Sequence, residues 1–350
     1  MPAYKDEQRK TWYAKFYYKD WDGKTKPKMK RGFRTKKEAQ DFERDFLTSH
    51  SGSSPDLMMH TLIEKYVDDL QHHVRKSTYL LRMRTIEKHI SPFFGSLKVS
   101  EVTAAHVRQW QNGLVKEGYK PSTQLEWHTM LSSIFNYGIK FCGVKNNPAR
   151  LAGSVGSKKS SKEIKFWTKE EFDRFLSVVD QPEYRFLFLT LYYSGMREGE
   201  CLALKQDDIV HGQYIIVDET YGKVGSEYVF GPPKTTASKR KIAMPRFWWD
   251  EYDSYVSRQY ETPERIFRFR DVSVLNKKLK RYAALAGNQP ITLHDLRHSH
   301  ASLLIELNQN ILLISERLGH DSVTTTLETY GHLFPNKQAE LADMLDRLNG

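Results

Sequence analysis

The sequence predicts a mixed, mainly α protein: a small basic sheet backed by a helix, an all-helical module, and an α+β module with a small antiparallel sheet. Three observations predict this. Apolar residues recur at helical spacing along most of the chain, but alternate in twos near the N-terminus and again after Leu204. Two stretches of linker composition, 49–56 and 151–165, interrupt the pattern. A length of 350 residues exceeds one typical domain and suits two or three. The expected divisions are 1–50, 57–150 and 165–350.

In the first division, TWYAKFYY (11–18) puts Trp12, Ala14, Phe16 and Tyr18 on one face of a strand. DWDGK (20–24) signals a turn, and KMKRGFR (28–34) reads as the next strand. Thr35 and Glu38 form a capping box for a helix striped by Ala39, Phe42, Phe46 and Leu47. Residues 1–37 hold 13 Lys or Arg against 4 Asp or Glu, a net of +9. Basic residues interleaved with aromatics on a sheet suit a polyanion, although charge runs are also ordinary solvated surface.

The second division is helical. Leu62, Ile63, Tyr66, Val67 and Leu70 share one stripe. Thr103 caps a helix bearing Val107, Trp110 and Leu114. Pro121 opens a long helix reaching about Phe141, and Asn147-Pro148 stops the pattern. In the third division, Thr168 to Glu171 form another capping box, followed by Phe172, Phe175, Leu176 and Val179. Helices continue to Leu204. Three strand-like runs follow, QYIIVDE, SEYVF and KRKIAMP, and then helices to the end, where Leu341, Met344, Leu345 and Leu348 stripe a final one.

The net charge of +11 favours nucleic acid or an anionic membrane as partner. The longest apolar run, from Phe186 to Tyr193, is far short of the roughly 18 residues that cross a bilayer. MPAYKDEQRK has no apolar core and is no signal peptide. Cys142 and Cys201 are too few for a disulfide scaffold or thiolate metal site, which fits a reducing, cytosolic setting.

Three segments carry groups suited to chemistry. YYSGMREGECLAL (192–204) places Arg197 after the helix breaker Gly195, at the start of a new helix, where a guanidinium and free N–H groups suit an anion. A surface ion pair with Glu198 or Glu200 is the plainer alternative. TLHDLRHSHASLLIEL (292–307) sets His294 and Arg297 on one helix face. His294 and His298 are four apart, as in zinc helices, but Asp295 replaces the usual Glu and Arg297 would oppose a dication. RLGHDSVTTTLETYGHLF (317–334) has His320 after the helix stop Gly319, and Tyr330 ten residues later.

Arg197, then HDLRH, then LGHDSVTTTLETYGH, in the last half of a basic multidomain chain, resembles the tyrosine recombinase (phage integrase) family. The resemblance covers about residues 168–334. The helical middle region looks like the family's core-binding domain, and residues 1–50 look like the arm-binding domain of integrases from temperate phages or conjugative elements. The family implies a catalytic Lys on a β-hairpin, and Lys234 in FGPPKTTASKRKIAMP fits its K-T-x-x-S-x-R pattern, with Lys239 and Lys241 as rivals. Glu200 matches a supporting acidic position, and Glu198 is a departure, since many members have an uncharged residue there.

The resemblance implies the following chemistry. Arg197, Arg297 and His320 hold the scissile phosphate, Tyr330 attacks it, His294 accepts the tyrosine proton, and Lys234 protonates the leaving 5′ oxygen. The product is a 3′-phosphotyrosyl link, and strands are exchanged in a tetramer through a Holliday junction. No cofactor or metal is called for. Double-stranded attachment sites of core and arm type are the expected substrates, with Lys15, Lys28, Lys30, Arg31, Arg34, Lys158 and Lys159 as DNA-facing candidates. A directionality factor and a host DNA-bending protein are possible partners, and the bacterial cytoplasm, on the nucleoid when DNA-bound, is the expected location. The rivals are a Xer-like resolvase, a non-catalytic DNA-binding regulator, and a metal nuclease using His294 and His298.

Overall fold

The computed structural model describes residues 3–6, 10–19, 25–50, 57–157, 164–233, 235–261, 263–269 and 271–334. By contacts between backbones the chain divides into two compact units, 1–161 and 162–350.

The first unit begins with an antiparallel sheet, β1 (Ala3–Asp6), β2 (Thr11–Lys19) and β3 (Thr25–Phe33), in that order. Helix α1 (Lys36–His50) covers one face, where Ala14, Phe16 and Ala39 are buried and Phe42 and Phe46 pack. The helix therefore takes in the first two residues of the expected linker. Its cap differs slightly from expectation. Thr35 Oγ1 accepts from the Glu38 N–H, but Glu38 reaches back to the N–H of Arg34.

Helices α2 (Met59–His73), α3 (Lys76–Thr85), a π turn over Ile86–Ile90, α4 (Ser91–Phe94), α5 (Ala104–Lys116) and α6 (Pro121–Phe141) follow. Leu62, Ile63, Tyr66 and Leu70 meet Val107, Trp110 and Leu114 in one apolar core. Asn147-Pro148 is a start rather than a stop. Asn147 Oδ1 accepts from the Arg150 N–H and opens α7 (Pro148–Ala152), with Pro148 at the position where its missing N–H costs nothing.

The second unit opens with α8 (Lys169–Ser177), capped by Thr168 and Glu171 as expected. The longest apolar run of the chain, from Phe186 to Tyr193, lies in α9 (Pro182–Ser194) and is buried nearly all round. Helix α9 is the central helix of the core. No described helix is long and apolar enough to cross a membrane. After α10 (Glu198–Ala203) come β4 (Ile209–Val210), β5 (Tyr214–Val217), β6 (Thr220–Val224), β7 (Glu227–Gly231) and β8 (Arg240–Ala243). They form an antiparallel sheet β4-β5-β8 and a separate hairpin β6-β7. Helices α11 (Arg246–Ser257), α12 (Val272–Leu285), α13 (Leu293–Glu306), α14 (Ile311–Leu318) and α15 (Val323–Tyr330) complete the unit. The expected tail helix lies outside the described residues.

Candidate active site

The C-terminus of α14 is the point on which the site is built. Its last carbonyls lack partners within the helix, and three arginines supply them. Arg240 Nε donates to Arg317 O (2.7 Å), Arg297 Nη1 to Leu318 O (2.6 Å) and Arg197 Nη2 to Gly319 O (3.4 Å). These arginines come from β8, α13 and the cap of α10, so one helix end fixes three separate elements. Gly319 adopts φ +69°, and a Cβ there would meet Arg240 Nη1 at 2.9 Å. Glycine is therefore required on two counts.

Glu200, 2% exposed, ties the cations together. Its Oε1 accepts from Arg197 Nη1 (2.6 Å), and its Oε2 from Arg240 Nη2 (3.0 Å) and the Arg197 N–H (3.1 Å). Burial would raise its pKa, but Arg240 and Arg197 outweigh that and hold it below the usual carboxylate range. Ser238, also buried, accepts from Arg197 Nη1 (3.3 Å).

Arg297 is 3% exposed. Its Nη1 also donates to Gly195 O (2.8 Å), the carbonyl at the left-handed stop of α9. Its Nη2 is buried without a hydrogen-bond partner. A buried donor in that state costs about 1–3 kcal/mol, more when charged, and an anionic oxygen is the acceptor that would satisfy it. Burial, then the neighbouring Arg197, presses its pKa down to about 9. His320 Nδ1 lies 2.8 Å from Thr326 Oγ1 on α15. Burial and then Arg297 lower its pKa to about 4, so the ring is neutral at physiological pH.

Tyr330 ends α15 and is 1% exposed, packed with Ala301, Ile305, Ile314 and Leu318. Burial pushes its pKa up to about 12. Its hydroxyl lies 2.6 Å from His298 Nδ1. His294 sits one turn away, half-exposed, with its Nδ1 3.5 Å from Glu198 Oε2. Burial would raise the pKa of Glu198, but the contact with His294 holds it below the usual range. This departure from the family pattern thus faces a histidine.

The structure brings Arg197, Glu200, Arg297 and His320 around the end of α14, with Tyr330 on the adjoining helix. Lys234, Lys158 and Lys159 lie outside the described residues. Sequence reasoning weighed His298 only as a metal partner of His294, and did not single out Arg240, Ser238 or Thr326. For Arg240 and Ser238 the signal was present, since K-T-x-x-S-x-R contains both. Among the described residues no group of three or more His, Cys, Asp or Glu could hold a metal ion.

On the N-terminal sheet the DNA-facing candidates divide by face. Ala14 pairs with Lys30 and Phe16 with Lys28, so these lysines share the helix side and lie over Phe42 (4.6 Å) and Phe46 (5.3 Å). Tyr13 pairs with Arg31 and Lys15 with Met29, on the open face beside the exposed Tyr17. Arg34 is exposed just beyond β3.

Family models match three stretches: an arm DNA-binding domain over residues 2–49, the N-terminal SAM-like domain of phage integrases over 59–115, and the phage integrase family over 165–337. The chain is 31% identical to the ICEBs1 integrase of Bacillus subtilis (strain 168), with 90% of each chain covered. Its fold matches the Tn1549 transposon integrase in complex with transposon right end DNA (TM-score 0.69, 17% identity, 84% of this chain and 100% of that one). It also matches a lambda integrase tetramer bound to a Holliday junction (TM-score 0.61, 18% identity, 96% of this chain and 93% of that one).

Proposed function

From the premise that this chain belongs to the phage integrase family of tyrosine recombinases, we propose that it is the integrase of a mobile element, joining and excising DNA through a covalent bond to Tyr330. The observation that carries the assignment of the site is the unpartnered, buried Nη2 of Arg297, beside Arg197 and Tyr330.

A phosphodiester is anionic and resists attack. Arg197 and Arg297 donate to its non-bridging oxygens and stabilise the charge that builds in the pentacoordinate transition state. Thr326 Oγ1 stands 2.8 Å from His320 Nδ1, and we assign the tautomer that accepts from that hydroxyl and carries its hydrogen on Nε2, free for the same phosphate. Tyr330 attacks phosphorus. His294 accepts its proton, and Lys234 protonates the leaving 5′ oxygen. The phosphotyrosyl bond conserves the energy of the broken one, so rejoining needs neither nucleotide nor metal.

Residues 165–350 perform this chemistry, residues 57–150 grip the core site, and residues 1–50 read arm sites. The open face with Tyr13, Lys15, Tyr17 and Arg31 supports the last role, because the exposed Tyr17 and the cations Lys15 and Arg31 stand there together. Lys28, Lys30 and Arg34 at the sheet's margins, and Lys158 and Lys159 in the linker, add phosphate contacts. A tetramer exchanges strands through a Holliday junction, as the lambda neighbour's assembly suggests, with a directionality factor and a host DNA-bending protein setting the direction. The protein works in the bacterial cytoplasm, on the nucleoid when bound. Because an arm-binding model matches its N-terminus, an element-borne integrase is favoured over a Xer-like resolvase.

The test is a denaturing gel of protein and attachment-site DNA. A protein–DNA adduct that survives denaturant and is lost on proteolysis supports the reading. Strand cleavage without an adduct removes it.

A further inference from the structure

His298 has no part in the chemistry above, yet it is the group on the nucleophile. Its Nδ1 lies 2.6 Å from the Tyr330 hydroxyl, and the two rings meet at 5.6 Å between centroids. It follows Arg297 directly on α13, and Arg297 is anchored by two backbone carbonyls. The side chain that grips the phosphate and the one that grips the tyrosine are therefore adjacent residues on one rigid helix.

The protonation states fit a hydrogen bond donated by the phenol. Burial and then His294 lower the His298 pKa to about 4, which leaves the imidazole neutral with a lone pair on one nitrogen. Burial raises the Tyr330 pKa to about 12. The proton thus stays on the oxygen, and His298 holds the hydroxyl without removing its hydrogen. In the chemistry proposed above, the hydroxyl must leave Nδ1 as the phenol turns to phosphorus before His294 takes that same hydrogen, so His298 holds the resting hydroxyl and His294 acts in the attack.

We infer that His298 is the positioning residue of the nucleophile: its Nδ1 accepts the hydrogen bond of the Tyr330 hydroxyl and fixes the phenol in register with Arg297. The inference rests on Tyr330 being the nucleophile. The bond links α15 to α13, so the tyrosine is ordered against the phosphate site before DNA arrives, and less orientation is left to achieve at the moment of attack.

The experiment uses full-length protein and two variants. His298→Leu keeps the apolar volume without an acceptor, and His298→Asn restores an acceptor oxygen near the place of Nδ1. Single-turnover adduct formation is measured on a nicked core-site duplex at saturating protein, with the DNA Kd measured separately. His298→Leu should slow adduct formation roughly a hundredfold with Kd unchanged, and His298→Asn should recover most of that loss. In parallel, 3-fluorotyrosine is placed at position 330, and its 19F resonance is read without DNA. The resonance should move in His298→Leu and return towards the wild-type position in His298→Asn. Unchanged adduct rates in His298→Leu, or equal losses in both variants with an unmoved resonance, would overturn the inference. A Tyr330→Phe control that still forms adducts would instead overturn the choice of nucleophile, because the resonance reports the pair whatever the chemistry.

Discussion

Glu200 is the residue whose removal should cost the second unit most. Its carboxylate is 2% exposed and accepts from Arg197 and Arg240 at once. The Arg240 side chain is itself only 5% exposed, whereas that of Arg197 is 34% exposed and can turn to water. Glu200→Gln keeps the shape and removes the charge, so it strands one buried guanidinium. Breaking a buried pair in this way costs about 3–5 kcal/mol. For a unit of this size each kcal/mol moves the midpoint by about 2–4 °C, which gives a fall of roughly 6–20 °C. The pH dependence has a definite sign. Folding lowers the Glu200 pKa, against burial, through Arg240 and Arg197. Its contribution is complete above the unfolded carboxylate value of about 4.3 and is lost as pH falls through the folded one. Thermal melts of wild type and Glu200→Gln, followed by circular dichroism from neutral pH downwards, measure both effects. The gap should be full at neutral pH and close in acid. Midpoints that agree within about 2 °C at neutral pH, no more than about 1 kcal/mol, would refute this expectation, as would a gap that stays constant into acid.

Lys234→Ala should slow cleavage of an ordinary substrate, and much less so one with a 5′-bridging sulfur, whose leaving group needs no proton. Equal defects on both would remove Lys234 as the general acid. Cleavage should persist in excess EDTA, and a loss restored by zinc or magnesium would revive the metal reading of His294 and His298. Truncation to residues 57–350 should leave cleavage of a short core site largely intact and abolish protection of flanking arm sites, since two linked sites raise effective concentration without new contacts at the centre. Identical footprints from both proteins would remove the arm-reading role.

Much of this architecture is legible in the sequence where a pattern is local. The strand of TWYAKFYY is written in its alternation, and Thr168 with Glu171 announces α8. β1 and β6 are not legible, because AYKD and TYGKV carry too little apolar alternation. Each is made a strand by its neighbour, β2 in one case and β7 in the other. Asn147-Pro148 looks like a stop for the same reason: only the chain beyond it shows that a short helix begins. The site divides in a similar way. Arg197, Arg297, His320 and Tyr330 are singled out in the sequence by their order and spacing. His298 meets Tyr330 across 32 residues of sequence, and Arg240 meets Arg317 across 77. Such pairings depend on the fold bringing α13, α15, β8 and the end of α14 together, which no local period encodes.

The proposed chemistry stands or falls on a bond between Tyr330 and DNA. Its most direct test is to trap the adduct on a nicked attachment-site duplex, digest protein and DNA, and locate the phosphate on the peptide by mass spectrometry. A nucleotide remnant is expected on the peptide containing Tyr330, and no adduct from Tyr330→Phe while DNA binding is retained. A remnant on another residue, or adducts from Tyr330→Phe at the wild-type rate, would contradict it.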